Sequence, residues 1–127
     1  MTFFFDNNLG QFLVRGLEGF GEDVVHITEH FQGDESDEVW LEFVGKKGMF
    51  LITRDQKIRK RPIELEALKR FRVGAFFLGG KAMGRWDQIK QIIRAWPKIK
   101  EISNKTRRPF AYNVNRSGSK LVRLTLD

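Results

Sequence analysis

The chain has 127 residues, a net charge of +7 and no cysteine, so disulfide frameworks and thiolate metal sites are excluded, and two histidines cannot by themselves make a structural zinc site. A single domain of this length buries roughly two-thirds of its unfolded surface without covalent staples. No stretch approaches the roughly 20 apolar residues of a membrane span, and no positively charged leader precedes the first apolar run. The expectation is a soluble, unprocessed, cytoplasmic protein.

Thr2 to Asp6 reads as a buried first strand ending in a carboxylate. Leu9, Phe12, Leu13, Gly16, Leu17 and Phe20 follow helical spacing, and Gly19 and Gly21 stop the helix. Val24 to Ile27 makes a short second strand. Ser36 is placed to cap a helix with Val39, Trp40, Phe43 and Val44 on its inner face, closed by Lys46, Lys47 and Gly48. Residues 49–53 form a third strand, with Asp55 just beyond it. Pro62 opens a helix carrying Ile63, Leu65, Leu68 and Phe71, and Val73 to Leu78 is a fourth strand. Trp86, Ile89, Ile93 and Trp96 are expected on the buried face of the next helix, broken or restarted at Pro97. Residues 110–114 and 121–126 pair as a C-terminal antiparallel hairpin.

Strand-helix alternation of this kind predicts an α/β fold: a mostly parallel central sheet with right-handed crossovers and helices on both faces. No linker or repeat divides it. The chain is read as one domain, with an α/β core over 1–80 and a helix plus hairpin over 81–127. If the second strand lies on one side of the first and the third on the other, Asp6 and Asp55 sit about 5 Å apart, one strand spacing, at the carboxyl edge. Ligands bind at that edge in open α/β sheets.

Each acid also has a structural explanation. Asp6 and Asp55 can cap the turns that follow them, and Asp37 and Glu38 complement the dipole of the helix behind Ser36. Acids gathered at one edge repel unless a cation neutralises them, and magnesium needs only one or two direct carboxylates. Asp6, Asp37 and Asp55 are the candidate metal-binding and catalytic set. Asn8 and Thr53 are supporting residues that would hold metal-bound water.

Charge is split along the chain. Residues 1–45 hold ten acids and one base, Arg15, whereas residues 46–127 hold 22 bases and six acids. An acidic pocket beside a basic surface suits a metal-dependent enzyme acting on a polyanion. Arg54, Lys57, Arg59, Lys60 and Arg61 follow the third strand as a candidate phosphate-binding run. Arg107, Arg108, Phe110, Tyr112 and Arg116 mix charge with rings, and their rings are assigned to packing of the hairpin. Trp86 and Trp96 are assigned to the core, His26 to a strand end and His30 to a loop.

The segments Phe3-Phe4-Phe5-Asp6-Asn7-Asn8-Leu9, Asp23-Val24-Val25-His26, Ser36-Asp37-Glu38-Val39-Trp40-Leu41, Thr53-Arg54-Asp55 and Gly74 to Leu78 together resemble the short PIN-like proteins, in particular the group related to toxins of VapBC toxin–antitoxin modules. The resemblance implies a three-layer PIN-like fold and a ribonuclease using Mg2+ or Mn2+ held by Asp6, Asp37 and Asp55. It also implies RNA as substrate, a cognate antitoxin as partner, and a possible homodimer. Larger PIN domains carry a further acid on an extra helix, for which Glu29 and Glu38 are the candidates here. Two rival readings are a catalytically inactive PIN-like binding module and a receiver-type phosphoacceptor in which Asp55 pairs with Lys81.

Overall fold

A computed structural model describes all of residues 1–127. In chain order its elements are β1 (Phe3–Phe5), α1 (Gln11–Gly19), β2 (Val24–His26), a 3-10 turn (Ile27–Glu29), α2 (Asp37–Lys46), β3 (Phe50–Thr53), α3 (Pro62–Arg70), β4 (Gly74–Leu78), α4 (Arg85–Lys105), β5 (Phe110–Val114) and β6 (Leu121–Leu124). The strands form one sheet in the order β2-β1-β3-β4-β5-β6. All neighbours are parallel except β5 and β6, which close the C-terminus as an antiparallel pair. The expected mostly parallel α/β sheet, with β1 between β2 and β3, is what forms.

Alternation along the strands builds two cores. Phe3, Phe5, Phe50 and Ile52 face α1 and α4, packing on Leu13, Leu17, Ile92, Trp96 and Ile99. Phe4, Leu51, Ala75 and Phe77 face α2 and α3, against Trp40, Leu41, Val44 and Leu68. Continuous apolar strands are required because helices cover both faces of the sheet. Gly74 is needed at the start of β4, since a Cβ there would lie 2.6 Å from the Phe110 ring and 2.9 Å from that of Phe50.

The helix α4 departs from expectation in two ways. It runs unbroken through Pro97, an exposed position, where a proline-interrupted turn is tolerated because a carbonyl without its helical partner can bond to solvent. Its buried stripe is Ile92, Ala95, Trp96, Ile99 and Ile102. Trp86 is therefore not a core residue but 67% exposed, and Ile93 is 42% exposed. Gln91 takes an inward position instead, fully buried, because its amide satisfies two loop carbonyls, Gly79 O at 2.8 Å and Asn115 O at 2.9 Å. On α2, likewise, Val39 is exposed rather than inward. No helix is long and apolar enough to cross a membrane.

Candidate functional site

The alternation that builds the cores also sorts the residues beyond the strand ends. Asp6 continues the side of Phe4, and Thr53 that of Leu51, so both lie on the α2–α3 face. The backbone stays in register there, with Asp6 N–H donating to Ile52 O at 3.0 Å. The buried Thr53 hydroxyl then organises the edge. It donates to Asp6 Oδ2 at 2.8 Å and accepts from the Asp55 N–H at 3.0 Å and from Asn8 Nδ2 at 3.4 Å. One donor and two acceptor positions exhaust a hydroxyl. Asn8 completes the clamp by accepting the Arg54 N–H at 3.1 Å. Asn8 and Thr53 thus hold the β1 and β3 ends together.

Asp6 also accepts its neighbour's N–H, from Asn7 at 2.6 Å. Burial pushes its carboxyl above the ordinary aspartate range, the bonds from Thr53 and Asn7 oppose this, and the charges of Asp37 and Asp55 add to the rise. A cleft of about 230 Å3 between β1 and α2 is lined by Asp6, Asn7, Thr28, Glu35, Asp37 and Trp40.

Asp37 opens α2, and its Oδ1 accepts from the Trp40 indole at 3.0 Å. Asp55 Oδ1 accepts from Lys57 N–H at 3.0 Å, forming a turn. The remaining oxygen of each carboxylate points at the same atom. One guanidinium nitrogen of Arg61 lies 3.1 Å from Asp37 Oδ2 and 2.9 Å from Asp55 Oδ2, while Arg61 Nε donates to Glu64 Oε1 at 2.9 Å. The Asp55 hydrogen bond and charge hold Arg61 more firmly protonated than a free arginine. Asp55 accordingly pairs with Arg61 and not with Lys81, as a phosphoacceptor arrangement would require.

No group of three or more histidine, cysteine or acidic side chains is close enough to hold a metal ion jointly. The donor chemistry nevertheless fits a hard divalent cation: Asp37 and Asp55 supply carboxylate oxygens to one point, that point already holds a positive charge, and two such ligands suffice for magnesium. Arg61 marks the position and would have to withdraw from it.

The basic run does not form one surface. Only Lys57 and Lys60 are exposed, Ile58 between them is fully buried, and Arg59 Nε is buried without a partner. Arg54 turns to the opposite face of the sheet and bonds to Gly79 O, the Met83 sulfur and Gln91 Oε1. Of the candidates for a further acid, Glu29 closes a capping box by accepting the His26 N–H at 2.6 Å, and Glu38 lies at the α2–α3 surface beside Pro62 and Glu66. Glu35 lines the cleft instead, its carboxyl held below the usual range first of all by the Gln32 N–H. His26 is buried between Leu9 O at 2.7 Å and the Thr28 hydroxyl at 2.8 Å, a structural role. Sequence reading missed both Glu35 and the pairing role of Arg61. The only local signal was that Arg61 precedes Pro62, which fixes it at the start of a helix.

Residues 1–80, which contain β1 to β4 and all three candidate acids, match the model of the PIN-like domain. No curated protein and no solved structure is matched by the chain. The matched segment is more than half of the sequence, and the chain belongs to the PIN-like domain family.

Proposed function

We propose that the chain is a metal-dependent ribonuclease of PIN-like type, acting as the toxin of a toxin–antitoxin module, with Asp6, Asp37 and Asp55 around the reacting phosphate. The observation that carries this reading is the convergence of Asp37 and Asp55 on a single cationic nitrogen at the carboxyl edge, beside the buried Asp6. The β1–β3 junction is where strand order reverses, the usual ligand position in open α/β sheets.

Asp37 and Asp55 would hold Mg2+ or Mn2+, with Asp6 next to them; the ion when bound acidifies a water and offsets charge on the phosphate. Thr53 and Asn8 keep the Asp6 and Asp55 segments in fixed relation. Lys57 and Lys60, exposed beyond Asp55, supply positive charge to the RNA backbone. The cognate antitoxin is the proposed partner. Magnesium-dependent cleavage of single-stranded RNA, lost in Asp6→Asn and Asp55→Asn while the fold is kept, is the expected result. Undiminished cleavage by both variants would remove the site. A neighbouring reading frame that encodes a DNA-binding protein, and co-purifies with the chain, is the expectation for the module.

A second reading is favoured by one specific feature, the guanidinium that satisfies both carboxylates. A binding module with a sealed acid pair would look the same. It is distinguished by absence of metal binding after Arg61 is neutralised.

A further inference from the structure

The face of the sheet opposite the acids carries a larger cleft, of about 810 Å3, between α4 and the β5–β6 turn. That volume is within the range of small-ligand sites. Its walls include Lys90, Arg94 and Arg116, and its single acid, Asp87, is already paired with Lys90 at 3.3 Å. Arg54 lies behind the cleft, bonded through Met83 and Gln91, two residues of its lining. None of Arg54, Arg94 and Arg116 has an ion-pair partner. Every acceptor that Arg54 reaches is neutral, and its Nε is buried with no acceptor at all. A partly buried cation without a counter-charge is costly, and an anion brought to it is correspondingly favoured.

The same side of α4 exposes an aromatic ring. Trp86 lies one turn before Lys90 and two before Ile93, so the three share a face. Basic side chains beside an exposed indole form the pattern that receives single-stranded nucleic acid: charge for phosphates, a flat ring for bases.

We infer that this cleft is a binding site for single-stranded RNA, in which Arg94 and Arg116 contact phosphates and Trp86 stacks on a base. The inference rests on RNA being the substrate, and extends it: the strand would continue across the β3–β4 edge, since Thr53 and Asp55 bound the acid site and Arg54 between them belongs to the cleft.

The test uses the full chain in EDTA, so that binding is read without cleavage. A fluorescently labelled single-stranded oligoribonucleotide is titrated by anisotropy at several salt concentrations. Each lost contact to a single strand should lower the slope of log affinity against log salt by about 0.7. Arg94→Gln/Arg116→Gln should therefore lose about 1.4 of slope. Arg116 also holds Lys81 O at 2.7 Å, so Arg94→Gln alone, which releases no other contact, should lose about 0.7. Trp86→Ala should weaken binding by about 5- to 150-fold. Trp40 and Trp96 are 3% and 7% exposed, so RNA should also shield most of the acrylamide-quenchable fluorescence. Lys69→Gln/Arg70→Gln, at the far end of α3 on the other face, should change none of these readouts beyond the general loss of charge.

Unchanged slope in both arginine variants, unshielded Trp86, or an equal loss in the α3 control would overturn the cleft. So would equally tight binding of polyglutamate that Trp86→Ala leaves unaltered. Cleavage with normal binding by the cleft variants refutes this inference alone. Cleft-dependent binding without cleavage in any metal refutes the nuclease reading alone.

Discussion

Replacing Arg61 by Gln separates the two readings of the acid pair. Arg61 makes three ion pairs at 2.9–3.1 Å, to Asp37, Asp55 and Glu64, and its own side chain is 39% exposed. At that exposure each pair is screened, and values of about 0.2–1 kcal/mol apply. The three together contribute about 1–2 kcal/mol, to which the repulsion left between Asp37 and Asp55 adds. In a chain of this size 1 kcal/mol corresponds to about 3–5 °C. Arg61→Gln should therefore melt about 4–8 °C below wild type in EDTA at low salt.

Divalent cations should reverse the deficit. A ligand at 100 times its Kd stabilises by about 2.7 kcal/mol, and the variant offers it two carboxylates without an internal competitor. Titration with MnCl2, read by differential scanning calorimetry and by isothermal calorimetry, should show a larger Tm gain and a lower Kd for Arg61→Gln than for wild type. Arg61→Lys keeps the charge but not the geometry that reaches two acids and Glu64, and should fall between them. An Arg61→Gln protein that melts with wild type and gains no more from manganese would refute the reasoning. One that loses stability but binds no metal would leave the acids as a structural pair.

Asp37→Asn, which keeps an acceptor for the Trp40 indole and loses only the first-turn charge, about 0.3–1 kcal/mol, and the screened Arg61 pair, about 0.2–1 kcal/mol, should melt within several degrees of wild type yet require far more magnesium for RNA cleavage or show none; Glu38→Ala, turned about 100° away, should cleave normally, and the opposite pattern would reassign the ligand. Asp6 is raised by burial, so its ionised form works against the fold: that contribution is best below the unfolded value and is lost as pH rises through the folded pKa. Asp6→Asn should then melt at or above wild type at pH 7, with an advantage that shrinks toward pH 4, and a Tm difference moving the other way would contradict it. Gly74→Ala should cost about 1–3 kcal/mol through overpacking against Phe110 and Phe50, measurable as a lower urea midpoint. His26→Ala should cost about 1–3 kcal/mol by leaving the Leu9 carbonyl unpaired, without changing metal response.

Much of the fold is legible because period and punctuation agree. Phe3-Phe4-Phe5 is apolar on both faces, as a strand between two helical layers must be, and Pro62 and Gly48 mark where α3 begins and α2 ends. What misled was α4. Its sequence offers two apolar stripes, one through Trp86, Ile89 and Ile93 and one through Ile92, Trp96 and Ile99, and large rings weigh heavily in choosing between them. The second stripe is buried because it continues through Ile102, giving the longer contact with Phe3 and Phe5. Gln91 goes in with it since loop carbonyls from Gly79 and Asn115 await a donor, a demand that only the assembled loops create.

The acid site divides in the same way. Strand ends set Asp6 and Asp55 on neighbouring strands, and period-2 alternation alone sends Arg54 to the other face from Thr53 and Asp55. The basic run could have been split on that ground: five basic residues among eight cannot share one surface when a fully buried Ile58 sits among them. Arg61 was not recoverable in this way. Its partners are 24, six and three residues distant, and only the last spacing is a helical one. The first depends on α2 and α3 packing side by side, and the second on the turn from Asp55 doubling back. A long flexible side chain reports its partner only after the fold has placed the acids, and the same flexibility is what would let it leave when a stronger cation arrives.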